Sequence, residues 1–444
     1  MTNNMTTGKP ARLILQFMIP TCLGNIFQQF YNLADSIIAG RFIGVDALAA
    51  IGSTTSLIFL VIGWLNGLAS GFSIIVAQNF GAGKYKRMRH NVAMSIYLSA
   101  AFVLVMTVSL ELLNYPILRL MNAPESIIGD TAGYMAVIYA GLFATAAYNG
   151  LAAVMRALGD SRSPLYFLII SAVINVFLDV AFIIWFGLGV EGCAYATVIA
   201  QAVSALLCFL YILRKFDILK LDREAFRISF GTMGRLLAIG IPMGLQFSIT
   251  AVGTIIVQGA VNVFGAVCIA GFSAAGKIQN IVSTVFVAFG ATAATYVGQN
   301  RGAGHMDRVH QGVRSMQVMI LVWSAVMIAM IHFFGDVFIY IFIDPSETAV
   351  MDSARTYFRA VAWCYPFLGS IFLYRNALQG LGYGLVPMLG GVFELLARAA
   401  IVAAVMQPLG YWGVCLADPA AWLAALVPIV PYYFYKMKGA VNRC

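Results

Sequence analysis

Apolar residues run along this chain in stretches of membrane-spanning length, separated by short breaks that carry charge, glycine or proline. A bilayer core about 30 Å thick asks for roughly 20 apolar residues per helical span. Stretches of that kind fall at 13–38, 47–75, 91–113, 130–157, 164–186 and 191–213. After a polar interval at 214–235 they resume at 236–262, 268–296, 313–334, 353–380, 385–406 and 412–435. The pattern predicts an all-α integral membrane protein with twelve transmembrane helices. The first stretch is read as a helix and not as a signal peptide: it continues from Leu13 through Gln28, Asn32 and Asp35 without a small-residue cleavage pattern.

The two halves repeat. Val76-Ala-Gln-Asn-Phe-Gly-Ala-Gly83 returns as Val297-Gly-Gln-Asn-Arg-Gly-Ala-Gly304, 221 positions on, and Ile19-Pro20 returns as Ile241-Pro242, 222 positions on. Ala157-Leu-Gly159 is echoed by Gly380-Leu-Gly382, and Gly189-x-x-Gly192 by Gly410-x-x-Gly413. Six helices per repeat is an even number, so both halves insert the same way up. Parallel repeats of this kind place a binding cavity between them. The expected organisation is an N-terminal six-helix lobe at 1–213, a cytoplasmic linker loop at 214–235, and a C-terminal six-helix lobe at 236–444, pseudo-symmetric around a central cleft.

Composition agrees with lipid as the main solvent: 61% of the 444 residues are hydrophobic and 10% charged, against about 25% charged in soluble proteins. The net charge of +9 is unevenly placed. Lys84 to Arg89, Arg156 and Arg162, Arg214 to Arg235, and Arg301 to Arg314 lie in alternate connections, and Lys9, Arg12, Lys436, Lys438 and Arg443 put both termini on that same side. The positive-inside rule makes this side cytoplasmic, in a multi-pass plasma-membrane protein. No basic run interleaved with aromatics suggests a nucleic-acid partner. The seven cysteines are scattered without a CxxC and are read as inert packing. Gly81-Ala-Gly-Lys84 is not a phosphate loop, because Gln78 stands where that loop needs glycine and Tyr85 follows the lysine. The four histidines have no ligand spacing, so no catalysis is expected.

Ionisable residues at membrane depth are expensive and usually functional. Gln28, Asn32 and Asp35 are spaced i, i+4, i+7 on the first helix, and Asn175 and Asp179 are i, i+4 on the fifth. Thr197 lies about two turns into the sixth. Counted at about 1.5 Å per residue, Asp35, Asp179 and Thr197 all fall in the outer half of the bilayer, at heights compatible with one cluster. Two carboxylates, an amide oxygen and a hydroxyl suit a hard cation such as Na⁺, or one proton shared between the carboxylates. The bland alternative, acids that merely bond helices together, is a poor use of two uncompensated charges in lipid. At the repeat offset Asp35 maps to about Val257 and Asp179 to about Val402, so coupling chemistry is expected in the N-terminal lobe only. In the other half Glu394 and Arg398, i and i+4, are expected to neutralise each other. Arg375 is expected to snorkel to the inner surface. Lys277 either lines the cavity or is a packing oddity.

Asn32-Leu-Ala-Asp35 followed by Gly40-x-x-Gly44 and Leu48-Ala-Ala50 resembles helix 1 of the multidrug and toxic compound extrusion (MATE) transporters. The repeated Gln-Asn-x-Gly-Ala-Gly, the Arg156-Ala-Leu-Gly-Asp160 turn and Asn175-x-x-x-Asp179 extend the resemblance over nearly the whole chain. It implies twelve helices in two lobes and antiport by alternating access. A monomer would export amphipathic, often cationic small molecules into or across membrane lipid, using Na⁺ or H⁺ as coupling ion and no cofactor. In the subgroup most similar to this chain the cation site matches Asp35, Asn175, Asp179 and Thr197, which would be the metal ligands if the ion is Na⁺. Pro20 matches the proline at which helix 1 is thought to bend. Gln28, Tyr31, Asn32 and Asn149 fall at positions assigned to the substrate cavity. Another branch carries essential acids on helices 7 and 10. This sequence has Gln246 and Thr250 on helix 7 and, on helix 10, only Asp352 at its start. Flippases for lipid-linked oligosaccharides, in the same superfamily, are the rival expectation; their cavities need several cations, and Lys277 is the clear mid-membrane candidate here.

Overall fold

The computed structural model describes residues 4–121 and 124–441, with the side chains of 31–33, 36, 45, 46, 48, 49, 440 and 441 outside that description. Helix accounts for its regular structure, with no strand among the described residues. In chain order the helices are α1 (Pro10–Phe42), α2 (Val45–Gly81), α3 (Tyr85–Leu112), α4 (Asn114–Leu120), α5 (Ile128–Ala140), α6 (Leu142–Ala157), α7 (Arg162–Val180) and α8 (Gly189–Lys215). They continue as α9 (Phe230–Asn262), α10 (Gly265–Gly302), α11 (Met306–Tyr340), α12 (Thr348–Val361), α13 (Tyr365–Gly380), α14 (Leu385–Cys415) and α15 (Ala417–Val441).

Among the described residues eight helices are long and apolar enough to cross a bilayer, and nine if α5 and α6, bent by 45°, count as one span. Length and composition therefore do not establish the expected twelve. The expected span at 353–380 is divided, since a 3₁₀ turn at Ala362–Cys364 separates α12 from α13 and leaves two helices of 14 and 16 residues. Each is shorter than a bilayer core requires.

The chain packs as two compact units. One gathers Leu23–Gly244, and so holds α2 to α8, the later part of α1 and the first part of α9. Its core is divided into several apolar clusters, one around Tyr139, Met135 and Leu65 and another around Met155, Cys208 and Phe216. α9 meets α2 through glycines. A Cβ added at Gly71 would lie 2.5 Å from the Gly240 Cα, and one at Gly67 would lie 2.6 Å from the Gly244 Cα. Two small-x-x-x-small pairs thus let the backbones touch, the usual device for helix contact in lipid. The interval after α8 is docked on the start of α3: Arg89 Nη1 donates to the Lys220 carbonyl at 3.1 Å, and Lys86 pairs with Glu224 at 3.2 Å.

The other unit gathers Met5–Cys22 and the chain from Leu245 on. One large cluster joins Ile14 and Phe17 of α1 to Phe286, Tyr296, Tyr365 and Tyr433. The repeated Gln-Asn pair has a visible task here. Gln299 and Asn300 are fully buried and clamp the backbone of Met5: its N–H donates to Gln299 Oε1 at 2.9 Å, and its carbonyl accepts from Asn300 Nδ2 at 3.2 Å. Arg308 reinforces both, donating from Nε to Asn300 Oδ1 at 3.1 Å and from Nη2 to the Met5 carbonyl at 3.3 Å. The last glycine of each motif copy, Gly83 (φ 67°) and Gly304 (φ 80°), takes the left-handed conformation that only glycine adopts at no steric cost.

Candidate functional site

Three helices of the first unit bring the expected cation-coupling residues together. Apolar sequence makes α1, α7 and α8 helical, and Asp35, Asn175, Asp179 and Thr197 fall on faces turned toward one another. Asn175 and Asp179, one turn apart on α7, are both fully buried, and Asp35 of α1 and Thr197 of α8 are half-buried beside them. Thr197 Oγ1 donates to Asp35 Oδ2 at 3.3 Å, and Asn175 Nδ2 reaches Thr197 Oγ1 at 3.5 Å. The Asp35 and Asp179 carboxyls stand within hydrogen-bonding reach of each other.

The remaining acceptors are short of donors. Asp35 Oδ1, Asn175 Oδ1 and both carboxyl oxygens of Asp179 are buried, and no donor reaches them among the described residues. A buried acceptor left without a partner costs about 1–3 kcal/mol, and more when charged. Several such oxygens converging on one spot are the donor set expected for a hard cation or a shared proton, and the residues present fit either. Asp35 and its neighbours lie in the part of the unit where Ile38, Ala39, Met135, Ile138, Ile183, Val190 and Ala194 form a buried apolar cluster together with Tyr134 and Cys193.

Two neighbours of the site carried no signal in the sequence. Tyr134 of α5 (7% exposed) and Cys193 of α8 (2% exposed) lie within electrostatic reach of both carboxyls. Directly after Asp179 the helix widens into a π turn at Ala181–Trp185. Such turns inside α-helices concentrate at functional sites.

Of the expected cavity residues, Gln28 on α1 and Asn149 on α6 are half-buried, and the side chains of Tyr31 and Asn32 lie outside the described set. Pro20 is buried within α1, which stays helical through it, and Thr21 Oγ1 donates back to the Phe17 carbonyl at 2.9 Å.

Among the described residues the second repeat shows no counterpart of the acidic cluster. Val257 is buried in an apolar group with Ile401, Val402, Val414 and Ala417. Its own charges sit elsewhere and correct two expectations. Arg375 does not snorkel: it is 5% exposed on α13 and bonds Glu394 of α14. Glu394 and Arg398 are not a self-sufficient pair either. Arg398 Nη1 is 3.8 Å from Glu394, while its Nε donates to Asp418 of α15 at 3.1 Å, and Tyr357 of α12 donates to the other Asp418 oxygen at 3.2 Å. Four charges from three helices therefore neutralise one another. Helix-wheel spacing sees only the i, i+4 pair; the stronger partners come from neighbouring helices. Gln246 of α9 accepts from Gln379 of α13 at 3.1 Å. Lys277 is exposed and stands over the Phe342 ring, 5.1 Å from its centroid.

The repeated scaffold of long apolar helices is that of an integral membrane protein, and its first repeat carries a buried acid cluster. The MatE family model matches residues 20–181 and again 242–403, so its two copies begin and end 222 residues apart, and the chain belongs to that family. It is 28% identical over 443 residues to the probable multidrug resistance protein YoeA of Bacillus subtilis, covering 97% of this chain and 95% of the relative. YpnP of the same organism, also named a probable multidrug resistance protein, is again 28% identical over 443 residues, covering 97% and 96%. Among solved structures, a MATE protein in its bent conformation matches with a TM-score of 0.92 at 20% identity, over 99% of this chain and 98% of that one.

Proposed function

We propose that the protein is a secondary antiporter that exports amphipathic, often cationic small molecules across the plasma membrane in exchange for Na⁺ or H⁺. The observation that carries the reading is the group of buried, donor-less oxygens on Asp35, Asn175 and Asp179. The naming of YoeA and YpnP as probable multidrug resistance proteins supports the substrate class.

In this reading the two repeats act as lobes that alternate access, with both termini cytoplasmic and one chain as the working unit. An ion arriving from outside binds Asp35 and Asp179, with Thr197 and Asn175 supplying hydroxyl and amide oxygen. Neutralising the pair removes its demand for solvation and lets the later part of α1 repack against α7 and α8, displacing substrate held near Gln28, Tyr31, Asn32 and Asn149. Pro20 leaves α1 one backbone hydrogen bond short and so able to bend. Each charge moved inward gains about 2.3 kcal/mol per 100 mV, enough to bias a conformational equilibrium of a few kcal/mol.

The test is efflux of a fluorescent cationic dye from proteoliposomes under a Na⁺ gradient or a pH gradient, for the wild type and Asp35→Asn. Efflux under one gradient, lost in the variant, identifies the ion. Intact gradient-driven efflux in Asp35→Asn would remove the role assigned to that carboxyl. Absence of transport under both gradients would favour a lipid-linked substrate.

A further inference from the structure

Within the second unit a cavity of about 310 Å³ opens between α11 and α12, lined in part by His332, Phe333, Asp336, Arg355, Arg359 and Trp363. We propose that it holds the phosphate of an anionic phospholipid, in the leaflet nearer the 341–347 connection, with Arg359 as the phosphate-binding cation.

The charges of the cavity are not equivalent. Arg355 is spoken for: its Nε and Nη2 each bond an Asp336 oxygen at 2.8 Å, and its Nη1 bonds Asp352 at 2.8 Å. Arg359, one turn further along α12, is exposed and makes no hydrogen bond or ion pair among the described residues; its charge reaches Asp336 only through space, while Arg355 holds both oxygens of that acid. It shares the cavity with large apolar side chains, of which Phe333 is 76% and Trp363 67% exposed. In a bilayer that surface faces lipid, and a guanidinium there needs an anion or a route to the headgroups. The cavity gives an anion its place: it lies between α11 and α12 and has room for a phosphate at the guanidinium fork, whose planar donors match phosphate oxygens in pairs. The Asp336–Arg355 pair walls the cavity and holds Arg355 away from the phosphate, leaving Arg359 as its partner.

The test is native mass spectrometry of the full chain released from nanodiscs of mixed phosphatidylglycerol and phosphatidylcholine. Wild type should retain the anionic lipid over the zwitterionic one, and Arg359→Gln should cut that preference about fivefold, while Lys84→Gln, distant in the sequence and in the other unit, should leave it unchanged. Arg359→Lys should retain part of the preference, since it keeps charge and loses the fork. Equal retention in wild type and Arg359→Gln would overturn the proposal. Displacement of the lipid by millimolar inorganic phosphate or glycerol phosphate would also overturn it, by showing a soluble-anion site. Dye efflux is not part of the readout, so this result stands or falls independently of the antiport reading.

Discussion

Replacing Arg375 by methionine should destabilise the second unit far more than an ordinary arginine substitution. Arg375 and Glu394 are 5% exposed and bond each other, and the other cation near Glu394, Arg398, approaches no closer than 3.8 Å and is already committed to Asp418 at 3.1 Å. Removing one partner of a buried ion pair costs about 3–5 kcal/mol, because the survivor stays charged and desolvated. The residual Arg398 contact places Arg375→Met near the lower end, at about 3 kcal/mol. Glu394→Leu should cost at least as much, since it strands Arg375 and removes the acid shared by both arginines. The double variant Arg375→Met/Glu394→Leu removes both charges and leaves Arg398 with Asp418 and Tyr357. Apolar replacement of a whole buried pair is often neutral or stabilising, so most of the loss should return. Chemical unfolding of the four proteins in mixed micelles gives the cycle directly. A double variant no more stable than Arg375→Met would refute the reasoning, as would a single-variant cost below about 1 kcal/mol, the value of an exposed pair.

The α2–α9 crossing predicts that Gly71→Ala loses about 1–3 kcal/mol by overpacking, whereas Gly52→Ala, whose Cβ would meet nothing within 4 Å, leaves stability level or slightly raised in the same unfolding assay. Arg308→Gln removes two of the bonds around Met5 and Asn300; limited proteolysis should then cut ahead of α1 at least several times faster, and unchanged cutting would mean the clamp does not hold that segment. Thr197→Val deletes one hydroxyl oxygen from the site, so half-maximal Na⁺-driven efflux should need at least about tenfold more Na⁺, from the 1.5–3 kcal/mol of a polar contact to a charged group. Proton-driven efflux should continue in that variant, because a shared proton needs no hydroxyl ligand.

Much of the architecture was readable because lipid enforces a simple code. Apolar runs of spanning length become helices, and the Gln-Asn-x-Gly-Ala-Gly repeat shows the internal duplication, its last glycine marking a left-handed turn in both copies. Asp35, Asn175 and Asp179 stood out as polar residues at helical spacing in apolar stretches; Thr197 needed a depth argument, since one threonine in a helix is unremarkable. What escaped depends on contacts between helices. Tyr134 and Cys193 reach the carboxyls across helix packing that no period encodes. The π turn after Asp179 falls in an apolar run, Ala-Phe-Ile-Ile-Trp, that carries no helix-breaking residue to announce it. Arg375 finds Glu394 nineteen positions away, on another helix. The Gly67 and Gly71 contacts with Gly240 and Gly244 pair two motifs far apart in the chain, each by itself an ordinary stretch of a glycine-rich membrane protein.

Antiport makes one demand that no uncoupled carrier meets: the flows must be reciprocal, because coupling between two ligands acts equally in both directions. In proteoliposomes with no ion gradient, a gradient of transported dye alone should drive Na⁺ or H⁺ the opposite way, read by an enclosed sodium or pH indicator. The account predicts ion movement with wild type, abolished in Asp35→Asn. Dye flux in wild type with no ion movement of either kind would contradict it.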